Sequence, residues 1–338
     1  MCYNKNEVFK RRANLAALWG KKKSVNYVKV KAYAKLNLTL EIVGRSGGFH
    51  LLDSLVTSVD LFDLVKVKKR KGKFSSVVMH GMGSEEIPPE QNNALKAAER
   101  FSQKFGVDGV EITVFKNIPL GGGLGGSSAD AAGVLSAMQT LFGIQDDEGV
   151  AAIADELGSD VRYMLKGGFA RMCGRGERIE PIEEIKDKLW FLLLCPKEGV
   201  SAGAAYRKYD ELNASDFSLG NTTRAINALK SGDTAGLGGA FKNDLYPAAA
   251  ALQPTVKEAV ESAESFSPLG AGMTGSGSCA FALFETKELC EWAKSRYKGK
   301  AQAYVVSSVT PKRWKKQEKS RWGSPFALTR EEIEKAGE

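Results

Sequence analysis

The chain has 338 residues, of which 43% are hydrophobic and 26% are charged, enough for one large domain or two modest ones. Its longest clear apolar run, Leu189–Cys195, is far shorter than the roughly 18–20 residues of a membrane span, so we expect no membrane-spanning helix. The five cysteines have neither metal-binding nor disulfide spacing, which favours reduced thiols and a cytoplasmic location.

The formal net charge of +8 is concentrated near the two ends of the chain. Residues 1–23 carry seven Lys and Arg against one Glu, and residues 312–321 carry six against one Glu. The central body is almost neutral, whereas a nucleic-acid-binding body should carry a basic face of its own. We therefore expect no nucleic-acid partner for the body, and the sequence leaves its oligomeric state open.

The apolar pattern predicts a mixture of strands and helices along the body. The strand-like segments are Val28–Ala32, Leu36–Val43, Leu64–Met79, Val110–Phe115, Leu189–Cys195, Cys279–Glu285 and 301–307. The helix-like segments are Asn93–Phe105, 128–142, 148–157 and 286–297. Leu51–Phe62 fits a helix or a strand equally well. Because regular βαβ repetition is lacking, the sequence predicts an α+β fold.

A glycine-rich run follows the strand Val110–Phe115 and leads into the predicted helix 128–142. Its residues are Pro119, Leu120, Gly121, Gly122, Gly123, Leu124, Gly125, Gly126, Ser127, Ser128 and Ala129. Glycines let a ligand approach the backbone closely, and successive N–H groups at a helix start form an anion site. The run therefore predicts a cradle for a polyphosphate.

Three other interpretations of this run compete with that prediction. Its glycines satisfy the dinucleotide fingerprint, and Asp146 and Asp147 lie about 20 residues further on, but no strand precedes these acidic residues. The usual P-loop would need a lysine after the final glycine. A flexible surface loop is disfavoured, because a proline and an alanine-rich helix flank the run.

The pattern Pro-x-x-x-Gly-Leu-Gly-x-Ser-Ser resembles the phosphate loop of the GHMP small-molecule kinases. Further segments match, in order and spacing, a branch of this family whose substrate carries a cytidine diphosphate group. These segments are Ala34–Leu38, Gly48–His50, Asp60–Asp63, Leu157–Val161 and Met273–Gly277. The resemblance covers about residues 28–308.

The resemblance implies the GHMP kinase architecture. An N-terminal ATP-binding domain is expected at 28–184, and a C-terminal ferredoxin-like domain at 185–310 should close the cleft. Residues 1–27 and 311–338 are then a basic extension and a basic tail, the latter with a short helix at Arg330–Lys335.

The resemblance also implies the catalytic machinery. Asp160 would take the proton from the substrate hydroxyl, although from the residues alone a helix N-cap is an equal interpretation. Lys35 would hold Asp160 ionised and stabilise the transferring phosphate, and Asn37 would orient the same site. ATP is the implied phosphoryl donor, with Mg²⁺ partly held by Ser128.

Residues for the two ligands follow from the same resemblance. Asn92 and Lys116 would line the adenine pocket, although isolated residues of these types usually form a helix cap and a solvated charge. On the substrate side, His50 would read the cytosine edge while Phe49 and Tyr206 stack on the base. The remaining substrate-side positions are Asn37, Thr274, Gly275 and Ser276.

The sequence therefore predicts an ATP-dependent kinase for a small molecule that carries cytidine diphosphate. Another GHMP kinase, acting on homoserine, mevalonate or a sugar, is the alternative and would not need the turn at Phe49 and His50. A non-catalytic nucleotide-binding paralogue is disfavoured, because Lys35 and Asp160 are both present. The turn before His50 is one residue shorter than the family pattern and has Phe49 where tyrosine is usual.

Overall fold

The computed structural model describes residues 26–81, 88, 91–183, 185, 187–212 and 219–309. The predicted helix Arg330–Lys335, and nearly all of the two basic terminal segments, lie outside these residues. Within the described ranges, no helix combines the length and the hydropathy that crossing a bilayer requires.

Strands and helices alternate irregularly along the chain. The strands are β1 (Tyr27–Asn37), β2 (Thr39–Ser46), β3 (Phe49–Lys69), β4 (Ser76–His80), β5 (Val110–Phe115), β6 (Ala170–Gly174), β7 (Arg178–Pro181), β8 (Trp190–Cys195), β9 (Lys242–Asn243), β10 (Gly270–Met273), β11 (Ala280–Phe284) and β12 (Gln302–Ser307). The helices are α1 (Asn93–Phe105), α2 (Gly126–Phe142), α3 (Asp147–Leu157), α4 (Ser159–Lys166), α5 (Ala202–Glu211), α6 (Asn221–Ser231), α7 (Thr234–Gly238), α8 (Tyr246–Leu252), α9 (Pro254–Glu264) and α10 (Lys287–Arg296). The α+β prediction is confirmed.

The long strand β3 organises the larger sheet and settles the ambiguous segment Leu51–Phe62, which is a strand. It pairs antiparallel with β1, β2, β5 and β6 along different parts of its length. Its middle, Leu55–Val59, is buried on both faces and includes the buried polar residues Thr57 and Ser58, so apolar and polar residues do not alternate there. This explains why periodicity could not separate helix from strand.

Helix α2 is the central helix of the N-terminal half. It is buried around most of its circumference and packs against α1, α4 and β1. Small residues allow this close approach, and a Cβ on Gly133 would lie 3.1 Å from a methyl carbon of Val65. The start of α2 is therefore held rigidly by the core, and the glycine-rich run ends at that start.

The smaller sheet has the strand order β10-β11-β8-β12 and is buried on both faces. Alternate residues of β8 face opposite sides: Phe191 and Leu193 join the core shared with the N-terminal half, whereas Leu192 and Leu194 face a second core. The expected domain boundary at residues 184–185 falls between β7 and β8 and stays a prediction. Strand β9 belongs to the larger sheet, where it pairs with β2.

The periodicity does not predict the five helices that the structure describes between residues 202 and 264. Each has only 5–11 residues. An apolar stripe over so few turns gives a weak signal, and packing against the smaller sheet stabilises such helices.

Candidate active site

The glycine-rich run connects β5 to the N-terminus of α2. Gly121, Gly123 and Gly125 have φ angles of +66°, +74° and +72°, a region that glycine enters without steric strain. No acidic side chain lies in the first turn of α2. The first N–H groups and the positive end of the helix are therefore available to bind a phosphate group.

The same run packs tightly against a segment of the C-terminal half. A Cβ on Gly123 would lie 2.2 Å from the carbonyl oxygen of Thr274, and one on Gly275 would lie 2.8 Å from the carbonyl oxygen of Gly123. The backbone N–H of Cys279 donates to the carbonyl of Gly122 at 3.2 Å. Glycine is thus required at position 123 because any side chain there would clash with the backbone of Thr274, whether or not a ligand is bound.

Lys35 and Asp160 form an ion pair next to the phosphate loop. Lys35 Nζ lies 3.2 Å from Asp160 Oδ2, and the lysine side chain is almost fully buried whereas Asp160 is 30% exposed. The backbone N–H of Lys35 donates to the carbonyl of Leu124 at 3.0 Å. Asp160 lies in the first turn of α4, where the N-cap is Gly158. Asp160 is therefore not the N-cap that the residues alone allowed.

Asn37 holds Lys35 in place and joins the two halves of the chain. Lys35 Nζ donates to Asn37 Oδ1 at 2.5 Å, and Asn37 Nδ2 donates to Ser54 Oγ at 2.8 Å. The backbone N–H of Asn37 donates to Thr274 Oγ1 at 2.9 Å. The amide side chain of Asn37 is therefore engaged with Lys35 and Ser54, which fits an orienting role, and substrate contact by Asn37 stays a prediction.

The segment 274–276 is fixed by contacts within the protein. Asn243 Nδ2 donates to the carbonyl of Gly275 at 2.9 Å, and Ser276 Oγ donates to the carbonyl of Val200 at 3.3 Å. Together with the contact between Gly123 and Thr274, these bonds place the segment directly beside the phosphate loop.

A second group of side chains surrounds His50. The imidazole stacks on Tyr206 with ring centroids 4.8 Å apart, and Tyr209 meets it edge-on at 5.9 Å. His50 Nε2 lies 2.8 Å from Asp210 Oδ1. Burial, followed by the charge of Asp160, raises the pKa of Tyr206 to about 12. Tyr206 therefore stays neutral and links this group to the Lys35–Asp160 pair.

Phe49 is 55% exposed and has a different neighbour from His50. The guanidinium of Arg175 lies 5.0 Å from the centroid of its ring. Phe49 also borders an open cavity of about 320 Å³ whose lining includes Arg175 and Leu51. Among the described residues no ring contact joins Phe49 to Tyr206, and the expectation that the two enclose a base stays a prediction.

Comparison with known proteins places these features in a family. The model "GHMP kinases N terminal domain" matches residues 92–172, and "GHMP kinases C terminal" matches residues 225–297. The chain is 34% identical over 279 residues to a 4-diphosphocytidyl-2-C-methyl-D-erythritol kinase of Clostridium beijerinckii, covering 80% of this chain and 97% of that relative. The chain belongs to the GHMP kinases. These enzymes are ATP-dependent small-molecule kinases, and the expected family and fold are confirmed.

Other relatives agree with this assignment. A kinase of the same name from Desulfitobacterium hafniense is 36% identical over 283 residues, covering 80% of this chain and 94% of the relative. The crystal structure of a 4-(cytidine 5'-diphospho)-2C-methyl-D-erythritol kinase superposes with a TM-score of 0.68 at 30% identity, covering 82% of this chain and 98% of that chain. A homoserine kinase from Cytophaga hutchinsonii, with a TM-score of 0.65, 21% identity and coverage of 86% and 96%, shows the shared fold alone.

The two residues expected to contact adenine in this GHMP kinase have partners within the protein. Asn92 is the N-cap of α1, and its Oδ1 accepts from the N–H groups of Ala94 and Leu95 at 3.0 and 3.3 Å. The amino group of Lys116 is buried between two carboxylates. Lys116 is therefore not the solvated charge that an isolated lysine usually indicates, and adenine contact by either residue stays a prediction.

The two loop serines differ in their engagement. Ser127 Oγ accepts from Asn93 Nδ2 at 3.0 Å on the protein surface. Ser128 is half-buried, and within the described ranges its hydroxyl has no hydrogen-bond partner. Ser127 thus keeps its O–H as a possible donor to a ligand, and Ser128 keeps both its O–H and its oxygen lone pairs.

Three carboxylates of the site were missed by sequence reasoning. Asp63 and Asp130 bracket Lys116, and burial raises the pKa of Asp130 to about 8, with the charge of Asp63 adding to the shift and that of Lys116 opposing it. Both residues lie inside recognised motifs, so their position could have suggested them. Asp210 follows Tyr206 by four residues, which places both on one face of α5.

Across the described ranges, no group of three or more His, Cys, Asp or Glu side chains could hold a metal ion. A magnesium ion that enters with nucleotide needs few protein ligands, because phosphate oxygens and water supply most of its coordination. The hydroxyl oxygen of Ser128 is a ligand of the right chemical type for such an ion.

Proposed function

We propose that this GHMP kinase transfers the γ-phosphoryl group of ATP to the 2-hydroxyl of 4-diphosphocytidyl-2-C-methyl-D-erythritol, a step in the non-mevalonate synthesis of isoprenoid precursors. The position of Tyr206 carries the proposal: its ring stacks on His50, and its pKa responds to the charge of Asp160. A substrate whose base is held at His50 thus extends toward the Lys35–Asp160 pair. Relatives at 32–36% identity carry this substrate in their names.

The chemical step needs a base and a neutralising charge. Asp160 accepts the proton of the 2-hydroxyl as the hydroxyl oxygen attacks the γ-phosphorus, and the bond from that phosphorus to the β–γ bridging oxygen breaks, releasing ADP. Lys35, 3.2 Å from Asp160 Oδ2, keeps the carboxylate oriented and stabilises negative charge on the transferring group. Because Asn37 and the buried stem fix Lys35, little reorganisation accompanies the reaction.

The phosphate groups of ATP bind at the glycine-rich loop and the start of α2. Mg²⁺, when bound with the nucleotide, would supply neutralisation of phosphate charge. Ser128 would contribute a hydroxyl ligand to that ion, and Ser127 a hydrogen bond at the helix start. Segment 274–276 borders the site on the side of the C-terminal half. This position agrees with an N-terminal domain at 28–184 and a C-terminal domain at 185–310 that contribute to one site.

A coupled ADP-release assay with the full chain tests the substrate. We expect turnover with the cytidine compound, and little with homoserine, mevalonate or galactose. His50→Ala should raise KM for the cytidine compound on the order of ten- to a hundredfold and leave KM for ATP nearly unchanged, since one hydrogen bond to a buried base edge is lost. Efficient phosphorylation of homoserine or mevalonate, with no activity on the cytidine compound, would overturn the substrate assignment.

A further inference from the structure

A carboxylate-centred cluster lies beside the His50 ring. Arg45 and His50 are directly opposite each other on the β2–β3 hairpin, so their side chains share one face of it. Asp210 reaches this face from α5, and its Oδ1 lies 2.8 Å from His50 Nε2 and also accepts from Arg45 Nη2. Elements from both halves of the chain therefore meet at one carboxylate oxygen.

The hydrogen-bonding roles of these groups follow from their chemistry. A guanidinium has only donors and an ionised carboxylate has only acceptors, so Asp210 has no proton to offer to the imidazole. His50 Nε2 must therefore carry the hydrogen that Asp210 accepts. In a neutral imidazole the other nitrogen, Nδ1, is then an acceptor.

The structure leaves Nδ1 for a ligand. The histidine side chain is only 12% exposed, and within the described part of the chain Nδ1 has no hydrogen-bond partner. Tyr206 and Tyr209 pack on the ring from two directions and restrict its rotation. The ring therefore presents a fixed acceptor at its only unoccupied polar atom.

We propose that Asp210, whose Oδ1 also accepts from Arg45, is a positioning residue that holds His50 as the Nε2–H tautomer. This tautomer selects cytosine over uracil. The exocyclic amine of cytosine donates a hydrogen bond, whereas uracil has a carbonyl oxygen at the same position. An acceptor at Nδ1 bonds the amine and repels the carbonyl. This inference rests on the proposed function for the identity of the base, and it adds the residue that sets the selectivity.

The tautomer can be measured directly, because the chain contains only His50 and His80. His80 stacks on Phe115, away from Asp210, and a His80→Asn variant removes its signal from the spectrum of ¹⁵N-histidine-labelled protein. In the neutral form of the ring, we expect His50 to show a protonated Nε2 and an unprotonated Nδ1. A predominant Nδ1–H tautomer would overturn the proposal.

Asp210→Ala tests the consequence for specificity. Alanine removes the oxygen that accepts from Nε2, so the imidazole hydrogen is no longer held there and the Nδ1–H tautomer, which presents a donor to the base, becomes populated. We expect KM for the cytidine substrate to rise severalfold, KM for the uracil analogue to fall, and kcat to change little. An unchanged ratio of the two KM values would contradict the proposal.

Two further variants separate this role from a structural one. Glu211→Gln removes the neighbouring carboxylate on α5, which pairs with Lys208 and not with the ring, and should leave the KM ratio unchanged. Asp210→Glu keeps an acceptor and should restore much of the selectivity. If Asp210→Ala fails to fold, the spectrum of the chain with Asp210 unchanged still decides the tautomer.

Binding measurements distinguish failure of this inference from failure of the proposed function. With a non-hydrolysable ATP analogue saturating the nucleotide site, we expect the wild-type chain to bind CDP at least tenfold more tightly than UDP. If that preference holds and the cytidine compound is not phosphorylated, only the proposed function fails. Equal affinities for CDP and UDP in an active enzyme would remove the inference and leave the function intact.

Discussion

Lys35 shows at the level of one residue how the candidate site is prepared for catalysis. Its amino group is 2.5 Å from Asn37 Oδ1 and 3.2 Å from Asp160 Oδ2, and its side chain is almost fully buried. A buried lysine needs such partners, because desolvation would otherwise favour its neutral form. The pairing therefore keeps both the cation and the carboxylate charged where the phosphoryl group would pass.

Asp160→Asn should lower kcat at least about 10²-fold, because the amide cannot accept the proton of the substrate hydroxyl. ATP binding should be largely retained, since the phosphate loop is unchanged. Asp155→Asn is a suitable control: Asp155 also pairs with a basic residue, Arg162, but on the surface. Near-normal kcat in a folded Asp160→Asn variant would refute the assignment of Asp160 as the base.

At the level of elements, the phosphate loop is defined by contacts at both of its ends. Lys116, just before the loop, is buried between Asp63 from β3 and Asp130 from α2. Asp63 Oδ1 also accepts from the backbone N–H groups of Asn117 and Ile118 at 2.6 and 2.9 Å. This buried group joins β3, the segment after β5 and α2, and so fixes the separation of the loop ends.

Gly123→Ala should destabilise the protein more than Gly143→Ala does, and should weaken ATP binding. Both glycines have positive φ, but a Cβ at position 123 meets a backbone oxygen at 2.2 Å whereas one at 143 meets nothing within 4 Å. Gly143→Ala therefore measures only the loss of stability from placing a side chain at positive φ, which is about 1–2 kcal/mol. Urea unfolding and ATP titration measure the difference; equal stability losses with unchanged ATP affinity would disprove the contact.

The buried carboxylate of Asp130 predicts a pH dependence of stability. Burial raises its pKa from 3.8 to about 8, so between these values the folded state keeps a proton that the unfolded state has lost. The free energy of unfolding should therefore fall as pH rises from about 4 to 8. The raised pKa of Lys116 acts only above its ordinary value of 10.5 and does not mask this slope.

Asp130→Asn removes the titrating group and keeps an acceptor for Lys116. Compared with wild type, the variant should lose part of the decline in unfolding free energy between pH 5 and pH 8. Urea denaturation of both proteins at the two pH values measures this difference. Parallel pH profiles would show that Asp130 is already ionised throughout this range in the folded protein.

At the level of the whole molecule, the candidate site lies where the two halves of the chain meet. Asn37 bonds Thr274, Gly123 packs on the same threonine, and His50 bonds Asp210. The first member of each pair comes from the N-terminal half and the second from the C-terminal half. Neither half alone contains a complete substrate pocket.

Deletion of residues 1–23 and 312–338 should leave kcat and both KM values close to those of the full chain. These segments account for the net positive charge of the chain but lie outside the span that matches the family, and they also lie outside the described residues. Steady-state kinetics of the truncated protein, with circular dichroism as a folding control, provide the test. A large loss of kcat in a folded truncation would place one of these segments in the site.

The sequence by itself determined the family, the α+β class and the main strands and helices of the body. It could do so because each signal is local: the glycine-rich run, the motif around Asp160 and the apolar periodicity of Asn93–Phe105 each occupy consecutive residues. It also placed Lys35 and Asp160 as partners, but only through the resemblance, since 125 residues separate them.

Only the tertiary structure decided which partners the isolated polar residues have. Asp210 and His50 are 160 residues apart, and Lys116 and Asp63 are 53 apart, so no local pattern records either contact. It also showed that the neighbour of the Phe49 ring is Arg175, a contact that the motif does not record. These contacts depend on burial and on how distant strands and helices pack together. A side chain's partners are the residues that the fold brings next to it, whatever their separation along the chain.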